Sequence, residues 1–109
     1  MITWDDFEKV DIRVGTIIDV NDFPNARQPA YQLTIDFGES GIKKSSAQIT
    51  QLYLKEALFG KQVIAVVNFP PKQIANFFSE CLVLGVYNEN KAVVLIQPGL
   101  PVKNGCKIG

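Results

Sequence analysis

Hydrophobic and polar residues alternate along two segments in the first third of the chain. Between Ile12 and Val20 the even-numbered positions are isoleucine, valine or threonine, and between Tyr31 and Phe37 the odd-numbered positions are aromatic or aliphatic. A period of two residues is typical of a β-strand with one face against a core. The segment 21–29 between them holds two prolines and two asparagines, which predicts a loop.

Hydrophobic runs without alternation follow in the second half. The run Val63–Val67 predicts a fully enclosed central strand, which the Phe69-Pro70-Pro71 sequence ends because proline lacks the N–H that a ladder needs. A second run covers 81–87, and the segment 92–96 is expected to pair with it through the turn 88–91.

Capping residues predict two helices. Thr3 is placed to cap a short helix with acidic residues in its first turn. Thr50 predicts a second helix that runs to about Phe59, where Gly60 stops it.

Three connecting segments complete the chain. The glycines of 38–41 predict a hairpin turn into a third, more polar strand at 42–49. Residues 72–80 are expected to form an irregular connection, and residues 98–109 a tail rich in proline and glycine. Five or six strands with a helix between the third and fourth predict an all-β protein. The expected architecture is a single domain over 1–109, a five-stranded OB-fold barrel with short helices and peripheral N- and C-terminal elements.

Composition excludes several classes of function. The chain has 109 residues, 11 basic and 11 acidic side chains and no histidine, so a serine or cysteine hydrolase triad is excluded. Cys81 and Cys106 are too few for a disulfide scaffold and wrongly spaced for zinc, and no glycine-rich phosphate loop occurs. We therefore expect no catalytic residues, no metal and no cofactor.

The N-terminus and the hydropathy pattern bear on location. Acidic residues stand where a signal peptide carries basic ones, and no hydrophobic run approaches the roughly 18 residues of a membrane span. These features predict a soluble, cytoplasmic protein without membrane insertion.

Two groups of residues are candidates for ligand contact. Lys43 and Lys44 are neighbours on the third strand, so only one of them can face a groove, and both also fit a solvated edge. Phe69 and Pro70, together with Phe77 and Phe78, are candidates for stacking bases or holding apolar side chains. The alternative is that the phenylalanines close the barrel end or pack in a dimer.

Asp11 and Arg13 lie two residues apart and therefore on one face of the first strand. We interpret the pair as structural or interfacial in preference to ligand contact. Gly15 shares this face, where it permits close approach of another backbone.

Four spaced blocks resemble one family. Asp6–Gly15, Ser45–Thr50, Val67–Lys72 and Ser79–Gly85 are similar to the CsaA family, which is chaperone-like and associated with protein export. That family is homologous to the tRNA-binding domain of methionyl-tRNA synthetase and of the phenylalanyl-tRNA synthetase beta chain. The resemblance covers nearly the whole chain in the family's order. It implies an OB-fold homodimer without catalytic activity, whose terminal elements contribute to the subunit interface.

The resemblance also implies two ligands, tRNA and unfolded or pre-secretory polypeptide delivered toward the Sec export ATPase. In the tRNA-binding relatives a basic segment precedes a Ser-x-x-Met motif. Here Ser79 keeps the serine and Lys72 keeps one basic position, whereas Leu82 replaces the methionine and Gln73 lacks the further charge. These departures favour the export-chaperone function.

The leading hypothesis is a homodimeric chaperone-like module that binds polypeptide through Phe69, Pro70, Phe77 and Phe78. The alternative is a binder of tRNA or other structured RNA, with the following contacts expected: Arg27, Lys44, Ser45, Asn68, Lys72, Ser79 and Leu82. Its weakness is the net charge of zero, since phosphate contacts come from lysine and arginine. A third hypothesis is an assembly factor with a single protein partner. The residues expected at the dimer interface are Trp4, Phe7, Asp11, Arg13, Val102 and Ile108.

Overall fold

The computed structural model describes residues Met1–Gly109 as two short α-helices, nine strands and a single 3₁₀ turn at Gly38–Ser40. Their bounds are α1 Trp4–Glu8, β1 Ile12–Asp22, β2 Tyr31–Asp36, β3 Ile42–Ala47, α2 Lys55–Leu58, β4 Gln62–Val66, β5 Lys72–Ile74, β6 Phe77–Ser79, β7 Leu82–Val83, β8 Gly85–Tyr87 and β9 Val93–Leu95. Neither helix is long and apolar enough to cross a membrane.

Five strands form an antiparallel sheet in the order β3-β2-β1-β4-β7. The sheet curls so that β3 meets the residues just before β7, where the Glu80 N–H donates to the Lys44 carbonyl at 2.7 Å. The hairpins β5–β6 and β8–β9 are attached to this barrel. The prediction of an all-β, OB-type barrel of five strands with short helices is confirmed.

The core lies inside the barrel, and β2 contributes most to it. Leu33, Ile35 and Phe37 are fully buried on the inner face of β2, as the alternation predicts. Val63 and Ala65 of β4 are buried opposite them, as expected for a central strand. One cluster of 13 buried residues thus fills the barrel.

β1 departs from the simple alternation of its sequence. Its pairing with β2 shifts register between Ile17 and Asp19, which places a bulge at Ile18. Ile17 is therefore completely buried and Ile18 is partly exposed, although a regular strand would group Ile18 with Val14. A bulge of this kind bends a strand, as barrel closure requires.

The first helix forms as predicted and the second is much shorter. The Thr3 side chain accepts from the Asp6 N–H at 3.1 Å, and the Asp6 carboxylate accepts from the Thr3 N–H at 2.9 Å, which is a capping box. The prediction that Thr50 starts the second helix is wrong, because α2 covers only Lys55–Leu58.

The reason lies at Tyr53. Its carbonyl accepts from the Tyr31 hydroxyl at 2.8 Å, and its own hydroxyl accepts from the Leu95 N–H at 3.0 Å. The non-helical segment before α2 makes these two part-buried hydrogen bonds, and they join β2 to β9 across the barrel end.

The segment 72–80 is not irregular but forms the hairpin β5–β6, with Lys72 opposite Ser79 and Ile74 opposite Phe77. Its turn places Ala75 at a φ of 54°, a left-handed conformation that usually favours glycine or asparagine. Because neither hairpin strand exceeds three residues and the turn lacks glycine, periodicity did not reveal it. The hairpin predicted between 81–87 and 92–96 is present as β8–β9.

The C-terminal tail is a peripheral element that docks along β1. The Val14 N–H donates to the Cys106 carbonyl at 3.0 Å, and the Ile108 N–H donates to the Ile12 carbonyl at 2.9 Å. Asn104 accepts from the Thr16 hydroxyl at 2.7 Å. β2 pairs with β1 only from Thr16 onward, and the tail covers the part of the same edge that precedes Thr16.

Candidate ligand-binding groove

A groove of about 1010 Å³ runs along the barrel where β3 and β7 separate. One wall continues from the end of β3 through Gln51, and the other is the continuous stretch Cys81–Gly85 with Tyr87. The segment Phe69–Lys72 and Ile74 close one end, and Gln28, Pro29, Ser79, Lys91 and Val93 complete the lining.

Large hydrophobic side chains are exposed along this groove. Phe69 is 53% exposed, Leu82 is 49% exposed and Tyr87 is 76% exposed. An exposed apolar lining of this size is typical of a surface that binds another molecule.

The charged residues of the groove all have one sign. Lys72 and Lys91 line it, and no aspartate or glutamate does. The groove therefore favours a ligand that combines apolar groups with one or two negative charges.

Five of the residues that the sequence suggested for ligand contact line this groove. They are Phe69, Pro70, Lys72, Ser79 and Leu82. Ser79 is also part of the scaffold, because its hydroxyl accepts from the Ser46 N–H at 3.1 Å and contacts the Cys81 carbonyl at 3.4 Å.

The adjacent phenylalanines of β6 point in different directions. Phe77 is only 9% exposed and its ring centroid lies 5.3 Å from that of Phe23, in a small cluster with Ala30. Phe78 is 55% exposed but does not line the groove. Phe77 therefore serves packing, which was the alternative interpretation of the pair.

The other suggested RNA contacts lie outside the groove. Ser45 is 1% exposed and donates to the Cys81 carbonyl at 3.0 Å. Asn68 accepts from the Asp11 N–H at 3.0 Å and donates to the Lys9 carbonyl at 2.8 Å, so both ends of its amide are engaged within the chain. Lys44 and Arg27 are exposed, and Arg27 immediately precedes the lining residue Gln28.

The residues suggested for a dimer interface divide into three groups. Trp4 and Val102 are exposed, whereas Phe7 and Ile108 are half-buried. Asp11 and Arg13 form an ion pair within the chain, with Arg13 Nε donating to Asp11 Oδ1 at 2.7 Å. Arg13 also donates to the Gly105 carbonyl at 3.1 Å, so this pair anchors the C-terminal tail.

Two lining residues that sequence reasoning missed are Tyr87 and Lys91. Tyr87 ends the hydrophobic run 81–87, and Lys91 lies in the turn that follows with a φ of 62°. The sequence does carry a signal for them, because the hydrophobic run ends in the amphipathic ring of Tyr87 and the basic Lys91 follows four residues later.

Cys81 lines the groove, and its buried thiol is unreactive. Burial raises the pKa of the Cys81 thiol to about 11, while the nearby Ser45 hydroxyl lowers it in part. The thiol is protonated at neutral pH, so it offers neither a nucleophile nor a metal ligand. No group of three or more potential metal ligands occurs in the structure.

Comparisons with known proteins show the family and agree with the fold. A family model described as "Putative tRNA binding domain" matches residues 12–107. The structure of the CsaA chaperone protein from Picrophilus torridus is 55% identical, covers 100% of both chains and has a TM-score of 0.95. The chaperone CsaA from Bacillus anthracis strain Ames is 52% identical over 100% of this chain and 99% of its own, also with a TM-score of 0.95.

Enzymes carry the same domain as a small part of their length. The methionine–tRNA ligase of Nanoarchaeum equitans is 37% identical over 108 residues, which are 99% of this chain and 14% of the ligase. The chain thus spans a small part of a much longer enzyme. The chain belongs to the tRNA-binding domain family and, within it, to the CsaA family.

Proposed function

We propose that the groove binds extended, partly apolar segments of unfolded or precursor polypeptides, and that the protein is a chaperone-like binding module and not an enzyme. The observation that carries this proposal is the exposure of Phe69, Leu82 and Tyr87 along one open groove. The similarity to two proteins named as chaperones supports it.

The size and shape of the groove favour a polypeptide. It is a cleft between strand and loop segments and not an enclosed cavity, so an extended chain can enter without threading through a narrow mouth. Burial of one large apolar side chain contributes about 1.5–3 kcal/mol, which is enough for several exposed side chains together to give a measurable affinity.

The test measures binding of a fluorescein-labelled, carboxymethylated unfolded protein by fluorescence anisotropy. The double substitution Phe69→Ser with Leu82→Ser is expected to weaken binding by about tenfold or more, because each change removes apolar contact area. The matched control is Phe78→Ser, which changes an equally exposed phenylalanine outside the groove and is expected to leave the affinity unchanged. Equal affinities for the groove variant and the control would reject this site.

A second function, binding of tRNA, is favoured by the family match and by the lysines of the groove. Lys72 and Lys91 supply cations without a neighbouring carboxylate in the lining, and exposed Phe69 and Tyr87 offer rings on which bases stack. With a net charge of zero, such binding is weak and sensitive to salt.

Bulk tRNA is the probe for this second function. Its affinity is expected to fall steeply between 50 and about 200 mM salt, and Lys72→Gln with Lys91→Gln reduces that slope, because each phosphate contact releases counterions. Lys103→Gln, which removes an exposed lysine outside the groove, is the control. An affinity that does not change with salt would eliminate the tRNA function.

We further propose a cytoplasmic homodimer that delivers its polypeptide clients to the Sec export ATPase. The exposed Trp4, Leu100 and Val102 support dimerisation, because a second copy that covered them would remove their apolar surface from water. Light scattering is expected to give twice the 12.1 kDa mass of one chain. A mass of one chain at micromolar concentration would contradict the dimer, and failure to bind the isolated ATPase would contradict the export partner.

A further inference from the structure

β7 and β8 form one continuous stretch, 82–87, that is hydrogen-bonded along only one of its two edges. On the bonded edge, the Leu84 N–H donates to the Ile64 carbonyl at 2.8 Å and the Leu84 carbonyl accepts from the Ile96 N–H at 3.2 Å. The stretch therefore pairs first with β4 and then with β9 through its even-numbered residues.

The odd-numbered residues leave their backbone groups unpaired. Val83 lies opposite Ala65, and Gly85 and Tyr87 lie opposite Leu95 and Val93. The bonds at Leu84 make each of these a non-hydrogen-bonded pair. The N–H and C=O groups of all three residues therefore point to the opposite edge of the stretch, away from β4 and β9. None of these six groups has a partner within the chain.

The unpaired edge faces the groove. Val83, Gly85 and Tyr87 are all lining residues, and the span from the first to the third is roughly 13 Å at the usual rise of a strand. The sequence Leu-Val-Leu-Gly-Val-Tyr contains no charge and no proline, the features that normally protect an edge strand from pairing with another chain.

We infer that an extended polypeptide segment adds to the edge of 82–87 as a further β-strand, so that its main-chain hydrogen bonds add to the affinity from apolar side chains and binding depends little on the exact sequence. This inference rests on the proposed polypeptide function and names its mode of binding. The segment carries apolar side chains at alternate positions, which contact Phe69 and Leu82, and an acidic residue near its ends, which pairs with Lys72 or Lys91.

The hydrogen-bonding groups of this edge favour a polypeptide over a nucleic acid. Donors and acceptors alternate at Val83, Gly85 and Tyr87, which matches the alternation of another main chain. Phosphates accept hydrogen bonds only, so they can pair with the three N–H groups of this edge but not with its three carbonyl groups, whereas another main chain pairs with both.

The first test uses a labelled nine-residue peptide with leucines at alternate positions, threonines between them and a glutamate at each end. Two further versions carry N-methyl groups on the leucines only or on the threonines only. Neighbouring amides of a strand point to opposite sides, so one methylated peptide is expected to lose at least about tenfold in affinity and the other to bind within about threefold of the parent.

The second test changes the protein at one position in two ways. Tyr87→Ala removes the ring and keeps the N–H, whereas Tyr87→Pro also removes the N–H and breaks no existing ladder bond, since Tyr87 is in a non-hydrogen-bonded pair. Tyr87→Pro is expected to bind the parent peptide several-fold more weakly than Tyr87→Ala. Equal affinities would overturn strand addition.

The outcomes separate this inference from the function on which it rests. If the labelled unfolded protein binds but the peptide does not, or if both methylated peptides behave alike, strand addition fails and the polypeptide groove stands. If neither the unfolded protein nor the peptide binds, the proposed function itself fails. If Tyr87→Pro and not Tyr87→Ala halves the mass measured by light scattering, the edge is occupied by a second copy and the inference is overturned.

Discussion

The Ser45 hydroxyl donates to the Cys81 carbonyl at 3.0 Å, and this bond is buried at the point where the barrel closes. It joins β3 to the residue just before β7, beside the backbone bond between Glu80 and Lys44. Each neighbouring pair of strands in the order β3-β2-β1-β4-β7 is antiparallel, so β3 and β7 run parallel to each other. Because they are joined at one end only and separate beyond it, the groove opens between them.

Ser45→Ala is expected to reduce the free energy of unfolding by about 1–3 kcal/mol. The substitution removes the donor from a buried carbonyl, whose remaining partner is the longer contact from Ser79. Urea denaturation of Ser45→Ala and of the control Ser46→Ala measures the difference. Ser46 contributes only its N–H to this network, so a loss at Ser46→Ala as large as that at Ser45→Ala would contradict the role of the Ser45 hydroxyl.

Gly15→Ala is expected to destabilise the barrel by about 1–3 kcal/mol through overpacking. A Cβ at Gly15 would lie 2.6 Å from Phe37 Cδ1 and 2.7 Å from Ile35 Cγ2, closer than carbon atoms approach. Gly99→Ala, where a Cβ meets nothing within 4 Å, is the matched control for the loss of glycine flexibility. Thermal unfolding at the same temperature for both variants would count against this packing argument.

Phe77→Ala is expected to cost about 3 kcal/mol or more, and Phe78→Ala less than about 1 kcal/mol. Phe77 fills the small cluster with Phe23, whereas Phe78 leaves more than half of its surface in water. Chemical denaturation checks both values. Similar losses for the two variants would contradict the opposite placement of these neighbours.

Regular alternation allowed much of the barrel to be predicted from the sequence. The inward face of β2 and the enclosed position of β4 were both predicted correctly, because one buried face leaves a period of two and two buried faces leave a continuous run. The bulge at Ile18 was missed, since barrel closure, a property of the whole sheet, decides where a strand bends.

The groove could be predicted only in part. Phe69 and Lys72 follow from local aromatic and basic signals and Leu82 follows from the family's Ser-x-x-Met motif, and the structure brings the three together. The free edge of 82–87 leaves no trace in the residue pattern, because a hydrophobic run is the same whether a strand is paired on one edge or on two. The directions of Phe77 and Phe78 likewise depend on the β5–β6 hairpin, whose strands are too short for periodicity to reveal.

The buried thiol of Cys81 predicts a loss of stability at alkaline pH. Burial raises its pKa from the ordinary 9.0 to about 11 in the folded chain, so between these values the folded state keeps a proton that the unfolded state has released. Since the unfolded state then binds fewer protons, the free energy of unfolding falls as the pH rises from 9 to 11. The stabilising contribution is fully present below pH 9, and the total loss is about 2–3 kcal/mol. Urea denaturation of the wild-type chain and of Cys81→Ala at pH 7.5, 9 and about 10.5 isolates the effect, because all other titratable groups are common to both proteins. The stability of the wild-type chain is expected to decline more steeply with pH than that of Cys81→Ala. A difference between the two proteins that stays constant over this range would show that the Cys81 thiol ionises equally in the folded and unfolded chains.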